Sequence, residues 1–204
     1  MLQDAVFNLQ SVLSLPLQLD SSNTQALEKA MRMYNGKAMI NSVNGKQSSM
    51  SEVFPLVQKY GGVVVCLCLD ESGIPETAQG RIDIAKKIIK TAESYGIDKK
   101  DLVVDALVMT ISTNKDNAKE TLKAVDYIRH ELGVGTVLGV SNISFGLPKR
   151  EAINTAFFTL ALKAGLSAGI INPLSESMMN AYYSYNALEG FDDNCTEYIE
   201  SVTA

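Results

Sequence analysis

Short apolar runs alternate along this chain with longer segments in which apolar residues recur at helical spacing. Each run predicts a strand, and a predicted helix follows it. Continuous apolar strands that alternate with amphipathic helices indicate a parallel sheet whose faces are covered by helices. The predicted strands are residues 16–19, 37–40, 62–69, 101–104, 136–138 and 168–171; the predicted helices are 1–14, 26–33, 50–60, 79–95, 116–132, 150–164 and 176–188.

Polar side chains stand at or just beyond the ends of four of these strands. They are Asp20, Asn41, Asp105 and Asn142. In α/β barrels and open α/β sheets, the carboxyl ends of the strands carry the chemistry. In a closed barrel these four residues would therefore surround one mouth. An alternative stays open, in which Asp20, Asn41 and the Ser141-Asn142 pair only cap the helices that follow them.

The four side chains favour one class of ligand. Two carboxylates and two amides accept and donate hydrogen bonds, which matches the edge of a neutral heterocycle such as a pterin or a purine. A phosphate is a poor match, because these positions offer neither a glycine-rich cradle nor a lysine or arginine.

Length, composition and net charge indicate to which broad class of protein the chain belongs. The chain has 204 residues, 46% of them hydrophobic, which is enough for one α/β domain with a sizeable core. Its apolar runs fall short of the roughly 18 residues that a membrane helix needs, and residues 1–14 lack the features of a signal peptide. The net charge is −5, without a lysine or arginine cluster, so nucleic acid is not expected as the main partner. We expect a cytoplasmic protein with no membrane partner.

The cysteines and the histidine predict no metal site. Cys66 and Cys68 alternate along one predicted strand, a pattern typical of core packing. The single histidine, His130, lies on a predicted charged helix surface. A zinc site or a nucleophilic triad built on histidine is therefore not expected.

Five segments of the chain together resemble a known family. The segment at 141–148, Ser-Asn-Ile-Ser-Phe-Gly-Leu-Pro, is the most specific of them. The chain is similar over nearly its whole length to the pterin-binding methyltransferases. That family includes the methyltetrahydrofolate-binding module of cobalamin-dependent methionine synthase and the methyltetrahydrofolate:corrinoid methyltransferases. The five segments are residues 17–21, 39–45, 103–105, 138–148 and 170–173.

The resemblance implies roles for individual residues. Asp20, Asn41 and Asp105 would hydrogen-bond the pterin ring, and Asn142 would lie near N5, the atom that carries the methyl group. Asn142 and Asp105 would be the catalytic residues. Three further residues would belong to the pterin site: Gly139, Ser141 and Arg150.

The resemblance also implies a reaction and its partners. The substrate would be tetrahydrofolate or methyltetrahydrofolate, and the methyl group would move between N5 and the cobalt of a corrinoid. The chain has no Asp-x-His-x-x-Gly segment of the kind that ligates cobalt in corrinoid modules. The cobalamin is therefore expected on a partner protein or domain. A homodimer is expected as well.

The expected fold is a (β/α)₈ barrel of the dihydropteroate synthase-like kind, but the chain is too short for a complete one. Such barrels have about 250 residues, whereas this chain has 204. The first matched strand, residues 16–19, corresponds to the third strand of the family. We expect residues 1–204 to form a single pterin-binding domain that is truncated at its N-terminus and lacks the first strand, the first helix and the second strand. The alternative is that another chain completes the sheet.

Three other functions stay open from the sequence. A dihydropteroate synthase-like enzyme would need basic residues for a pyrophosphate, and neither residues 107–113 nor residues 170–173 supply them. A folate-binding fragment without catalytic activity is the second alternative. An unrelated barrel lyase or isomerase is the third.

Overall fold

A computed structural model describes residues 1–203 and contains a parallel sheet flanked by helices. Its strands are β1 (Gln18–Asp20), β2 (Met39–Asn44), β3 (Val63–Leu67), β4 (Leu102–Asp105), β5 (Gly135–Gly139) and β6 (Ala168–Ile170). Its α-helices are α1 (Leu2–Gln10), α2 (Thr24–Met33), α3 (Gln47–Tyr60), α4 (Ala78–Ser94), α5 (Asn117–His130), α6 (Arg150–Lys163), α7 (Glu176–Leu188) and α8 (Thr196–Thr203).

The strands lie side by side in the order in which they occur along the chain. Each strand is parallel to its neighbours, from β1 to β6. A helix follows every strand, because a parallel pair needs a long crossover connection. This is the strand order of a (β/α)₈ barrel. Six strands leave the sheet open, with β1 and β6 as its edges, since closure of such a barrel takes eight. The predicted fold, a barrel without its first strand, first helix and second strand, is confirmed.

The main hydrophobic core lies between the sheet and its helices. Every second residue of β1 to β5 points into it, and these side chains are almost completely buried, whereas the residues of the edge strand β6 are exposed. Full burial of one such aliphatic side chain stabilises the fold by about 1.5–3 kcal/mol. The strand residues of this outward, helix-covered face are Leu19, Ile40, Val64, Cys66, Leu102, Val104 and Leu138.

The predicted elements differ from the observed ones mainly at their ends. Helix α1 stops at Gln10, before the predicted end at residue 14, and the apolar Val12 and Leu13 beyond it are exposed. Strand β2 continues to Asn44, past the predicted end at Ile40, with a register shift between Asn41 and Val43. Asn41 therefore lies within β2 and not at its carboxyl end.

The predicted positions of the cysteines and the histidine are confirmed. Cys66 and Cys68 are buried, and burial raises the pKa of the Cys66 thiol to about 12, so it stays protonated and unreactive at neutral pH. His130 is exposed on α5 and its Nδ1 lies 3.0 Å from Asp126 Oδ1. Within residues 1–203, no helix has the length and apolar character needed to cross a membrane.

Candidate functional site

The strand register places three of the predicted site residues on one face of the sheet. Asp20 is paired with Asn41, and Asn41 with Val65. Asp105 is paired with Leu67, two residues beyond Val65 on the same strand. Paired residues on parallel strands, and residues two apart on one strand, point to the same side. Asp20, Asn41 and Asp105 therefore project from the face of the sheet that the helices do not cover.

Asp20 and Asn41 form a polar pair at the β1 edge. Asn41 Nδ2 donates a hydrogen bond of 3.3 Å to Asp20 Oδ2. Both residues line a polar cavity of about 360 Å³ between the N-terminal ends of α2 and α3. Asp20 is exposed and Asn41 is half-buried, so this part of the site is open to solvent.

The alternative that Asp20 and Asn41 are helix caps is wrong. Helix α2 is capped by Asn23, whose side chain accepts a hydrogen bond of 2.9 Å from the Ala26 N–H. The residue at the N-cap position of α3 is Lys46. The two predicted site residues are therefore free to use their side chains on the inner face of the sheet.

Asp105 is the last residue of β4 and is only 8% exposed. Its Oδ1 accepts a hydrogen bond of 2.8 Å from the Leu107 N–H. Burial raises the pKa of Asp105 to about 6, while the Leu107 hydrogen bond and the positive charge of Arg81 act in the opposite direction. At pH 7 the carboxyl group is therefore ionised and poorly hydrated, which makes it a strong acceptor for any ligand N–H group.

Asn142 lies in a 3₁₀ helix, Val140–Ser144, that begins directly after β5. Gly139, the last residue of β5, makes room for its side chain. A Cβ atom at position 139 would lie 3.2 Å from Asn142 Nδ2, closer than most such contacts. Asn142 is exposed, so its amide is available to a ligand.

Arg150 and Ser141 hold the Asn142 turn in place. Arg150 Nη2 donates a hydrogen bond of 2.7 Å to the Ser141 carbonyl, and its Nε donates one of 3.0 Å to Ser144 Oγ. Ser144 in turn donates to Asn154 Oδ1 at 2.7 Å. The N-cap position of α6 is Lys149, without a side-chain cap. The capping alternative is thus also wrong for Ser141 and Asn142.

The loops that carry Asp105 and Asn142 are tied to each other. Thr110 Oγ1 and Ser112 Oγ both donate to the Phe145 carbonyl, at 2.8 and 3.0 Å. The Ile111 N–H donates to the Ile143 carbonyl at 3.0 Å. Sequence reasoning missed this connection, although the polar Thr110 and Ser112 after an apolar run were a visible signal.

Sequence reasoning also missed Arg81 on α4. Its side chain is completely buried and packs behind the turn that follows Asp105. The signal was its spacing: Arg81 lies three residues after Ala78 and four before Ala85, so it falls on the buried face of the helix. Among residues 1–203, no group of three His, Cys, Asp or Glu side chains could hold a metal ion.

This arrangement can bind a flat polar heterocycle on the inner face of the sheet. Asp20 and Asp105 accept hydrogen bonds, while the amides of Asn41 and Asn142 can donate as well as accept. A comparison with known families adds the decisive observation, because the profile of pterin binding enzymes matches residues 2–172. The chain belongs to the pterin-binding enzyme family. The resemblance inferred from the sequence is confirmed.

Two named relatives show which members of the family the chain is similar to. It is 28% identical to a methylcorrinoid:tetrahydrofolate methyltransferase of Eubacterium limosum, over 93% of this chain and 71% of the relative. It is 34% identical to a methionine synthase of Mycobacterium tuberculosis, over 82% of this chain but only 15% of that much longer protein. The chain is thus similar to most of one methyltransferase and to one segment of another.

Solved structures support the fold independently. The dihydropteroate synthase of Yersinia pestis superposes with a TM-score of 0.73, at 16% identity, over 92% of this chain and 78% of that one. A dihydropteroate synthase of Xanthomonas albilineans gives a TM-score of 0.74 at 20% identity, over 92% and 72% of the two chains. At these identities the comparison shows a shared barrel architecture.

Proposed function

We propose that residues 1–204 act as one domain that binds methyltetrahydrofolate and transfers its methyl group between N5 and a corrinoid carried by a partner. The observation that carries this proposal is the placement of Asp20, Asn41 and Asp105 on one uncovered sheet face. The similarity to a methylcorrinoid:tetrahydrofolate methyltransferase supports the same reaction. A homodimer stays a prediction.

The pterin ring would bind through its polar edge. Asp105 would accept hydrogen bonds from the amino and ring N–H groups, and its poor hydration makes these bonds charge-assisted and strong. Asp20 and Asn41 would complete the set from the β1 edge. Leu67 and Val137, the residues paired with Asp105 on β3 and β5, would offer the apolar surface beside it.

The protein's part in the reaction would be to hold N5 and to stabilise its charge. A tertiary amine is a poor leaving group, so N5 needs a proton or a strong hydrogen bond as its bond to the methyl carbon breaks. A bound corrinoid would supply the cobalt centre with which the methyl group is exchanged. Asn142, with water and the Asp105 region, would form the hydrogen-bond network at N5. This is catalysis by position and electrostatics.

The proposal is tested by methyl transfer from methyltetrahydrofolate to reduced cobalamin, followed spectroscopically. The wild-type chain should form methylcobalamin, and Asn142→Ala should reduce kcat by about 100-fold. His130→Ala changes an exposed side chain on the opposite, helical side of the molecule and serves as the control. Equal rates for wild type and Asn142→Ala would contradict the role of Asn142, and the absence of methylcobalamin formation by folded wild type would contradict the function.

A dihydropteroate synthase-like activity is the second candidate, because the two solved structures described above are such synthases. The loop after Asp105 argues against it, since residues 107–113 contain no basic side chain for a pyrophosphate. Condensation of a pterin pyrophosphate with 4-aminobenzoate by the purified chain would favour this candidate over methyl transfer.

A further inference from the structure

Arg81 joins three separate parts of the structure behind the candidate site. Its Nε donates to the Pro75 carbonyl at 2.9 Å, in the loop before α4. Its Nη1 donates to the Leu107 carbonyl at 3.0 Å and to Thr121 Oγ1, on α5, at 2.7 Å. Its Nη2 is buried and has no hydrogen-bond partner within residues 1–203. We call Arg81, Pro75, Leu107 and Thr121 the Arg81 cluster.

Complete burial of an arginine side chain destabilises the folded protein. Moving a guanidinium group out of water costs several kcal/mol, which is recovered only with good hydrogen bonds and an opposite charge nearby. Here burial lowers the pKa of Arg81, and Asp105 is among the negative groups that oppose this effect. The two N–H groups of Nη2 stay unused, so hydrogen bonding alone does not account for a cation at this position.

The Arg81 cluster is linked to Asp105 through one residue. Leu107 donates its N–H to Asp105 Oδ1 and accepts a hydrogen bond from Arg81 at its carbonyl oxygen. Leu107 has a φ of 62°, a backbone conformation that a leucine rarely adopts and that needs support from its surroundings. The two hydrogen bonds hold Leu107 on both sides, and so fix the turn on which the orientation of the carboxylate depends.

We propose that Arg81 is a positioning residue for Asp105: it holds the Leu107 turn and supplies the positive charge that offsets the burial of the carboxylate. This inference rests on the proposed function, because it assigns Arg81 to the pterin site. In it, Asp105 contacts the pterin, and Arg81 acts on the pterin only through Asp105.

The other charged groups near Asp105 do not titrate in the same range. Cys68, just after β3, stays protonated because burial and the nearby Asp105 raise the pKa of its thiol. Glu120 on α5 faces Arg81, and hydrogen bonds from the Ala78 N–H and from Lys123 lower its pKa. A titration step near pH 6 at this place therefore belongs to Asp105.

The first test measures the titration of Asp105 directly by ¹³C NMR of its carboxyl carbon, without any ligand. Arg81→Gln should move the midpoint upward by about one pH unit, because an opposite charge has been removed. Arg81→Lys keeps the charge and should leave the midpoint near its wild-type value. Lys90→Gln removes a cation from the exposed side of the same helix and is the matched control. An unchanged midpoint in Arg81→Gln would overturn the proposal.

The second test measures the affinity for methyltetrahydrofolate from pH 5 to pH 8. In Arg81→Gln the pH-dependent part of the loss should be about fivefold at pH 6, close to tenfold at pH 5 and negligible at pH 8, since a midpoint raised by one unit lowers the ionised fraction of Asp105 at low pH. A purely structural role would weaken binding by the same factor at every pH, and that result would overturn the inference. In Arg81→Lys the midpoint should stay unchanged and binding should weaken by the same factor at every pH, because the charge is kept while the hydrogen bonds that hold the Leu107 turn are lost.

The two tests separate failure of this inference from failure of the proposed function. If wild type does not bind methyltetrahydrofolate, the proposed function fails, and the NMR titration still decides whether Arg81 acts on Asp105. If Arg81→Gln does not fold, the affinity of Arg81→Lys is measured in its place. A lysine cannot reproduce three hydrogen bonds from two nitrogens, so wild-type affinity at every pH in that variant would overturn the positioning role.

Discussion

The two ends of the candidate site differ in how their carboxylates are held. At the β1 edge, Asp20 is exposed, and within residues 1–203 its side chain bonds only to Asn41, at 3.3 Å. At β4, Asp105 is buried, bonded to the Leu107 turn, and backed by Arg81. Water screens the first carboxylate and is largely excluded from the second. Hydrogen bonds to a ligand should therefore be worth more at Asp105 than at Asp20.

The difference in hydration between Asp20 and Asp105 should also affect the free energy of unfolding. An exposed carboxylate such as Asp20 keeps its hydration on folding, while Asp105 loses most of it. A residue that strengthens binding because it is poorly hydrated destabilises the free protein for the same reason. Under the proposed function, Asp105 would be a binding residue that the fold tolerates, whereas Asp20 should be close to neutral for folding.

The largest expected effect is on binding. Asp105→Asn should weaken the affinity for methyltetrahydrofolate by about 100-fold, because two charge-assisted hydrogen bonds in a dry site are lost. Asp20→Asn should weaken it by less than about tenfold, because its bonds compete with water. Isothermal titration calorimetry at pH 7.5 measures both, with Asp126→Asn as the control carboxylate on the outer helix α5. A larger loss for Asp20→Asn would reverse the comparison.

The next effect is on folding. The pKa of Asp105 is raised from 3.8 to about 6, so its contribution to stability is complete below pH 3.8 and is lost as the pH rises through 6. At pH 8, Asp105→Asn should increase the free energy of unfolding by about 2–3 kcal/mol, and most of this gain should vanish at pH 4. Urea unfolding of wild type, Asp105→Asn and Asp20→Asn checks this. A variant that is less stable at pH 8 would contradict it.

A third, smaller effect is the pH dependence of binding itself. If the pterin binds the ionised carboxylate of Asp105, whose pKa is about 6, affinity should fall roughly tenfold between pH 7 and pH 5. Binding near pH 6 should release protons, which calorimetry detects in buffers of different ionisation enthalpy. Asp105→Asn should lose this proton release and Asp20→Asn should keep it. Equal release from both variants would assign the proton to another group.

The smallest expected effect concerns Asn142. Gly139→Ala places a Cβ atom 3.2 Å from Asn142 Nδ2, which should displace the amide at a cost of about 1 kcal/mol. We expect kcat for methyl transfer to fall about fivefold with little change in KM. Gly135→Ala on the same strand is the control, because its added Cβ would meet neighbours only at 3.6 Å or more. Equal kcat values for the two variants would argue against a role for Asn142 at N5.

Much of this molecule follows from the sequence pattern, and the exceptions have physical causes. The apolar runs predicted all six strands, because both faces of a parallel sheet are mostly apolar. The cap assignments at Asp20, Asn41 and Asn142 stayed open, because a polar residue before a helix looks the same whether it caps the helix or faces a ligand. The structure decides between the two by the hydrogen bonds at Asn23 and Arg150.

Arg81 shows the limit of sequence reasoning most clearly. A charged residue in a helix is usually exposed, and only its spacing from Ala78 and Ala85 indicated the buried face. The register shift in β2 is a second case. It depends on how β2 pairs with β3 between Asn41 and Val43, and no local residue pattern specifies such a pairing.

The central claim is that the uncovered face of the sheet binds a pterin through Asp105 and its neighbours. Its most direct test is an amide NMR titration of the ¹⁵N-labelled chain with methyltetrahydrofolate. We predict the largest shifts at Leu107 and at Asn142, smaller ones at Asn41, and none at His130 on α5. Shifts confined to the outer helices, or saturable binding that leaves the Leu107 amide unchanged, would contradict the claim.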